Sequence, residues 1–178
     1  MDQTARAIIP SARCANVDND PLTVAHAQAL LARDDGLAVV DADLVDPAAV
    51  TGNPEFRGVI DLAEPVCVIL SPVLNLFPAG KAREIIAGYA DLAAPRSLFV
   101  VSFGRGLLPR DVGQLAKAFT AAEVHNHTRE ETAGFLGGLE LADPGLVPAQ
   151  NWRAGWRHIP ATPPSLAYIL GGVACKPG

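Results

Sequence analysis

Short apolar runs alternate with helical patterns along most of this chain. Each run is short and bounded by turn-forming residues, which is the pattern of β-strands. The runs that predict strands are Arg13–Asp18, Leu37–Leu44, Pro65–Leu70 and Ser97–Phe103. The third is apolar throughout, which is typical of a parallel strand whose two faces are both covered.

The segments between these runs have the spacing of helices. The first helix is predicted to open at Pro21, because a proline in the first turn gives up an N–H that has no helical partner there. Further helices are predicted from Asp46, over Lys81–Leu92 and over Asp111–Ala122. The stripe of the first helix that we expect to face the core consists of Leu22, Ala25, His26, Ala29 and Leu30.

The alternation of predicted strands and helices ends after residue 122. Thr128 and Glu131 have the spacing of a capping box, so a helix is predicted to begin near Arg129. The segments LELADPGLVPAQNW and SLAYILGGVAC then predict two strands joined by the proline-rich loop RHIPATPPS. Strand–helix alternation followed by a strand pair indicates an α/β sheet with an antiparallel C-terminal edge, and residues 1–178 are expected to form one domain.

Composition narrows the classes of function. The 178 residues are 49% hydrophobic and 19% charged, which is enough apolar sequence for a sizeable core. The net charge is −5 without a cluster of Lys and Arg, which argues against nucleic acid as a partner. The most apolar window, Pro65–Gly80, is too short and too interrupted to span a bilayer.

The first residues lack the basic start and apolar run of a signal peptide. Cys14, Cys67 and Cys175 are widely spaced and each lies in an apolar run, so we expect reduced, buried thiols. Together these features predict a cytoplasmic protein.

Acidic residues follow the first two predicted strands, at the end of an open α/β sheet where ligands bind. Asp18 ends the first strand, where a carboxylate can accept hydrogen bonds from both hydroxyls of a ribose. Helix capping is the alternative role, although Asp20, directly before the helix, fits that role better.

The second strand ends in a similar acidic loop. Asp43 can accept a hydrogen bond from an adenine amino group while the backbone N–H of Leu44 meets a ring nitrogen. Asp41 and Asp46 compete with Asp43 for this role, and Asp46 precedes Pro47 in the position of another helix cap.

Two further polar patterns leave alternatives open. Ser71 and Asn75 are the polar side chains of the apolar run LSPVLNLF, and either line a site or make turn contacts. His125 and His127 lie on the same side of an extended segment. They form either part of a metal site or the polar end of a strand before a helix cap. The second alternative is favoured and no metal is expected, because no third ligand has suitable spacing and structural zinc sites require four ligands.

Four segments resemble the actinobacterial S-adenosylmethionine-dependent methyltransferase family that was first catalogued as a domain of unknown function. They are VDNDPLTVAHAQALLA, ADLVDPAAV, FLGGLELADPGLVP and the closing GGVACKP, and they occur in the family's order from about Ala7 to the C-terminus. The resemblance implies a Rossmann-like class I methyltransferase sheet with helices on both faces and an antiparallel C-terminal strand pair.

The resemblance also implies the cofactor S-adenosylmethionine and a small-molecule methyl acceptor. By this resemblance, Asp18 holds the cofactor's ribose with Asn19 beside it, and Asp43 and Leu44 frame the adenine. Residues Leu70, Ser71 and Asn75 would border the pocket of the methyl donor and acceptor.

The family's first strand ends in an acidic, glycine-rich loop, and nothing before Asp18 resembles it. In the family that strand lies between the strands that here end at Asp18 and Leu70. We therefore expect a truncated domain in which two strands expose unpaired backbone groups. The alternative to an active methyltransferase is an inactive remnant that self-associates or binds a partner through these strands. Nicotinamide-dependent oxidoreduction shares the ribose-binding acid but lacks a constellation for hydride transfer.

Overall fold

The computed structural model describes residues 2–31, 35–104, 123–152 and 169–178. The chain divides into two compact units, Met1–Glu64 and Pro65–Gly178. The single domain therefore stays a prediction. The predicted helix Asp111–Ala122 lies outside the described residues.

The described residues of the first unit form two parallel strands and four helices. These elements are α1 (Asp2–Ile8), β1 (Cys14–Asp18), α2 (Pro21–Leu31), β2 (Leu37–Asp41), α3 (Pro47–Gly52) and α4 (Pro54–Val59). Cys14 pairs with Leu37 and Asp18 with Asp41, so the carboxyl ends of both strands lie at the same end of their sheet. The core comprises Ala38, Val40 and Val59, with Ala15 and Val17 packed against it.

Side chains at the helix starts explain where these helices begin. The Asp20 carboxylate accepts a hydrogen bond from the N–H of Thr23 at 2.7 Å, and that backbone bond lowers the pKa of Asp20 from its usual value. The Asp46 carboxylate accepts from Ala49 N–H at 2.9 Å. Both helices open with a proline directly after the capping residue, so the predicted start of α2 is confirmed.

The predicted core stripe of α2 is wrong. Leu22 is 80% exposed and Leu30 is 71% exposed, and Ala25, His26 and Ala29 are exposed as well. Val24, at 5% exposure, points into the unit instead. The sequence PLTVAHAQALL is apolar around most of its circumference, so helical spacing alone fits more than one face.

The second unit is built on a mixed sheet. Its elements are β3 (Cys67–Leu70), a 3-10 turn (Val73–Leu76), α5 (Ala79–Leu92), β4 (Leu98–Gly104), α6 (Arg129–Phe135), β5 (Glu140–Leu141), β6 (Val147–Pro148), a second 3-10 turn (Ala149–Asn151) and β7 (Ile169–Cys175). The strand order is β3-β4-β7-β5, and β6 also pairs with β7. The β3–β4 pair is parallel and every pair with β7 is antiparallel, which confirms the predicted antiparallel edge.

A capping box starts α6 as predicted. The Thr128 hydroxyl accepts from Glu131 N–H at 3.1 Å, and the Glu131 carboxylate accepts from Thr128 N–H at 2.8 Å. Further along this helix, the ring of Phe135 lies 5.5 Å from that of Phe103 on β4. This contact places α6 on one face of the sheet.

Close packing explains why the second residue of the GGVAC segment, Gly172, is a glycine. A Cβ atom on Gly172 would lie 2.9 Å from Leu146 Cδ2 and 3.2 Å from the carbonyl oxygen of Gly145. One of these contacts is with backbone, which cannot move aside as the end of a side chain can. Glycine at this position therefore allows the loop between β5 and β6 to approach β7.

The two faces of the sheet are buried to different extents. Phe99, Val101 and Phe103 of β4 are fully buried. On β3, Cys67 is exposed and Ile69 is 39% exposed, so the prediction that this strand is covered on both faces is wrong. Burial of Cys67 was also predicted wrongly, whereas Cys14 and Cys175 are half-buried, and all three are free thiols.

In the described part of the chain the outer strands of both sheets have open edges, and β1 and β3 are two of these strands. β1 pairs with β2 alone, and β3 pairs with β4 alone. Each therefore has one edge whose N–H and C=O groups meet no other described strand. Among the described residues, no helix has the length and apolar character needed to cross a bilayer.

Lys176 joins the end of α5 to the end of β7. Its ammonium group donates to the carbonyl oxygens of Ala90 and Ala93, both at 2.8 Å. Ala90 belongs to the last turn of α5 and Ala93 is its C-cap residue. At this end the helix has no further N–H groups for its carbonyls, and the helix dipole favours a cation. The backbone N–H of Lys176 also donates to Ser97 at 2.8 Å.

We expect Lys176→Ala to lower the free energy of unfolding by about 1–3 kcal/mol, because two carbonyl groups lose a charged donor. Urea unfolding followed by circular dichroism would measure the change. Lys81→Ala is the control, since Lys81 makes an exposed ion pair with Glu84 at 3.5 Å that contributes little. Equal stabilities for the two variants would contradict the assignment.

Candidate functional site

The loop after β1 holds the first predicted site residues. Asp18 is half-buried, and its Oδ1 accepts a hydrogen bond from Asp20 N–H at 2.9 Å. Its backbone oxygen accepts from Ala42 N–H at 3.1 Å. Asn19 is exposed in the same loop. Since Asp20 caps α2, as the sequence favoured, the capping role does not fall to Asp18.

The loop after β2 has a similar construction. Asp43 is exposed, and its Oδ1 accepts from Val45 N–H at 3.0 Å, while Leu44 is half-buried. Asp46 caps α3, which leaves Asp41 and Asp43 as the exposed acids of this strand end. Because β1 and β2 are parallel and in register, Asp18 and Asp43 lie at the same carboxyl end of the two-stranded sheet.

The residue that follows β3 has a hydroxyl group that lies next to a hydroxyl group on β4. Leu70 is buried, and Ser71, the next residue, is exposed. Ser71 Oγ lies 2.6 Å from Ser102 Oγ on β4. Ser102 was not among the predicted site residues, although it is the one hydroxyl within the apolar run LFVVSFG. The register of β3 against β4 brings the two serines together.

Asn75 is buried and braces three segments of backbone. Its Oδ1 accepts from Gly104 N–H at 2.7 Å. Its Nδ2 donates to the carbonyl oxygens of Gly104 at 3.1 Å and His125 at 2.7 Å. Its own backbone oxygen accepts from His125 N–H at 2.7 Å. Asn75 thus ties the turn after β3 to the end of β4 and to the segment before α6.

The two histidines do not form a metal centre with other described residues. Their rings are 6.4 Å apart and nearly parallel, at 15°. His127 is buried, with Nε2 3.3 Å from the Leu74 carbonyl oxygen and its ring edge-on to Phe135 at 4.9 Å. In the described ranges no group of three His, Cys, Asp or Glu residues could hold a metal ion.

The predicted site residues fall into two sets, one in each unit. The first unit contains Asp18, Asn19, Asp43 and Leu44, and the second contains Leu70, Ser71 and Asn75. In both units, parallel strands bring their carboxyl ends together, which is where α/β sheets bind ligands. The first set offers carboxylate acceptors. The second offers the hydroxyl of Ser71, together with backbone that the Asn75 side chain holds in place.

We expect Asn75→Ala to destabilise the protein by about 2–4 kcal/mol, because the Gly104 N–H and two carbonyl groups lose partners in a buried place. Thermal or urea unfolding would measure this. Gln150→Ala, an exposed amide in the same unit, is the control and should change stability little. A loss for Asn75→Ala no larger than that of the control would contradict the bracing role.

Comparison with known proteins identifies the family of the chain. Residues 1–177 match the S-adenosyl methyltransferase family. The chain is similar to a candidate methyltransferase from Thermobifida fusca YX, with 28% identity and a TM-score of 0.85. This alignment covers 99% of the chain and 68% of that protein.

A DUF574-family protein from Streptomyces avermitilis MA-4680 is also similar, at 30% identity and a TM-score of 0.80. Here 97% of the chain and 68% of that protein are covered. Magnesium protoporphyrin IX methyltransferase from Synechocystis PCC 6803, solved with bound S-adenosylhomocysteine, shares the fold at 19% identity. Its TM-score is 0.57, with 93% of the chain and 64% of that protein covered.

None of the curated proteins matches the sequence. The family match nevertheless spans almost the whole chain, and the mixed α/β sheet has the fold of solved methyltransferases. The four sequence segments implied an S-adenosylmethionine-dependent methyltransferase family, and this much is confirmed. The chain belongs to the S-adenosyl methyltransferase family.

Proposed function

We propose that this protein binds S-adenosylmethionine and transfers the methyl group to a small-molecule acceptor. The observation that carries the proposal is the family match over residues 1–177. The sulfonium cofactor supplies an activated methyl group, so the protein's main task is to position the reactants. Residues at strand ends suit this task because the sheet restrains their movement.

In this proposal, the acidic loops of the first unit bind the adenosine part. Asp18 accepts hydrogen bonds from the ribose hydroxyls with Asn19 beside it, and Asp43 and Leu44 frame the adenine. Two features support these roles. Asp20 and Asp46 take the helix-capping positions, which leaves Asp18, Asp41 and Asp43 at the carboxyl end of the sheet.

The second unit contributes the surroundings of the methyl donor and acceptor. Leu70 and Ser71 border that pocket at the end of β3. Asn75 acts by holding the backbone of Gly104 and His125, since an amide cannot serve as a base at neutral pH. Its hydrogen bonds to both segments support this positioning role.

We expect Asp18→Asn to weaken the binding of S-adenosylhomocysteine by about 10-fold to 100-fold, because the ribose loses a charged acceptor. The amide oxygen can still accept from Asp20 N–H, so the loop should keep its conformation. Isothermal titration calorimetry would measure the dissociation constants. Asp35→Asn changes an exposed acid and serves as the control. Unchanged affinity for Asp18→Asn would rule out the ribose assignment.

The second candidate function is a catalytically inactive protein that self-associates or binds a partner chain. The observation that favours it is the open edge of β1 and of β3 in the described part of the chain. Both strands have a single neighbour among the described strands, and Ile69 of β3 is 39% exposed. Open apolar edges are templates for pairing with another chain.

This second candidate predicts that the sedimentation coefficient rises with protein concentration. We expect Ile69→Lys to abolish the rise, because a lysine on an edge strand opposes pairing with another chain. Ile9→Lys, another exposed isoleucine outside any strand, should have no effect. A wild-type protein that sediments as a monomer at every concentration would count against self-association.

A further inference from the structure

Ser71 directly follows β3, and Ser102 lies in register with it on the parallel strand β4, two residues before that strand ends. Leu70 of β3 pairs with Val101 of β4, and each serine is the next residue in its strand direction. Residues in register on neighbouring strands project to the same face of a sheet. This arrangement brings the two hydroxyl oxygens within 2.6 Å of each other. Ser71 is exposed and Ser102 is half-buried, so the pair is accessible to a ligand.

The face of the sheet that leads to this pair is apolar and partly exposed. Ile69 pairs with Val100, and Val100 pairs with Val173 of β7, so the three side chains lie on the same face as the serines. Ile69 is 39% exposed, and Val100 and Val173 are half-buried. The strands β3, β4 and β7 carry no charged residue.

The hydrogen-bonding capacity of the pair defines what it can bind. One hydroxyl donates to the other, which uses one of the two O–H groups. The pair keeps one O–H donor together with acceptor lone pairs on both oxygens. A hydroxyl group on a ligand can both accept from this donor and donate to one of these lone pairs. A hydrocarbon of the same shape would displace water from the serines without forming a hydrogen bond in its place.

We propose that the Ser71–Ser102 pair and the apolar face beside it bind the methyl acceptor, a neutral molecule with an apolar body that ends in a hydroxyl group. Naming this ligand the acceptor rests on the proposed function. The class of ligand follows from the site itself. The apolar strands match a hydrocarbon body, the paired serines match a hydroxyl, and no charge on these strands would compensate an ion.

Phenol and toluene are suitable probes because they differ mainly in a hydroxyl or a methyl group on the same ring. We expect the wild-type protein to bind phenol about five-fold more tightly than toluene, in line with one neutral hydrogen bond. Ligand-observed NMR titrations would measure both dissociation constants. Ser102→Ala should abolish the preference, and Ser102→Thr, which restores a hydroxyl on a strand, should retain it.

Ser11→Ala removes an exposed hydroxyl from the first unit and should leave the preference unchanged. If Ser102→Ala does not fold, Ser71→Ala replaces it, because that side chain is exposed. The proposal is overturned if neither probe binds the wild type. It is also overturned if a folded alanine variant keeps the wild-type preference for phenol.

A separate titration with S-adenosylhomocysteine distinguishes this inference from the proposed function. Loss of the phenol preference in Ser102→Ala, with no S-adenosylhomocysteine bound by the wild type, would support the hydroxyl site and contradict methyl transfer. Cofactor binding together with an unchanged phenol preference in Ser102→Ala would support methyl transfer and contradict the hydroxyl site.

Discussion

The hydrogen bonding of β4 is the constraint on which the second unit depends. This strand lies between β3 and β7, so Leu98–Val101 have a strand partner on both sides, whereas Ser102–Gly104 pair with β7. Buried backbone groups need such partners, and the requirement does not stop where a strand ends. At Gly104, the side chain of Asn75 accepts from the backbone N–H and donates to the carbonyl oxygen. A single amide therefore connects the strand to the turn after β3 and to the segment before α6.

This bracing gives the candidate site its physical character. Methyl transfer from a sulfonium needs reactants held in line more than it needs acid–base groups. The residues available here fit that requirement, since carboxylates, hydroxyls and a buried amide follow parallel strands in fixed register. Ser71 and Ser102 meet because Leu70 pairs with Val101, and a shift of one residue would turn the two hydroxyls to opposite faces.

Local hydrogen bonds explain the features that sequence reasoning predicted well. The cap of Asp20 on Thr23 and the reciprocal bonds of Thr128 and Glu131 join groups only three residues apart. A pattern of residue types is enough to predict such contacts, because few other conformations satisfy them. The family was also predictable from sequence, since four segments carry it in order along the chain and the match spans residues 1–177.

Contacts between distant segments explain what the sequence left undetermined. The apolar residues of α2 fit several faces, and only packing in the first unit selected Val24 over Leu22 and Leu30. The exposure of Ile69 depends on which elements cover β3, and periodicity in one strand does not specify its neighbours. The hydroxyl pair has the same origin, because Ser71 and Ser102 are 31 residues apart and meet through strand register. The sequence by itself determined the capped starts of the helices at Pro21, Pro47 and Arg129, the first four strands and the family. It did not predict that LELADPGLVPAQNW forms two short strands, Glu140–Leu141 and Val147–Pro148. Tertiary structure decided which faces are buried and which polar groups meet, because both depend on pairing between segments remote in the chain.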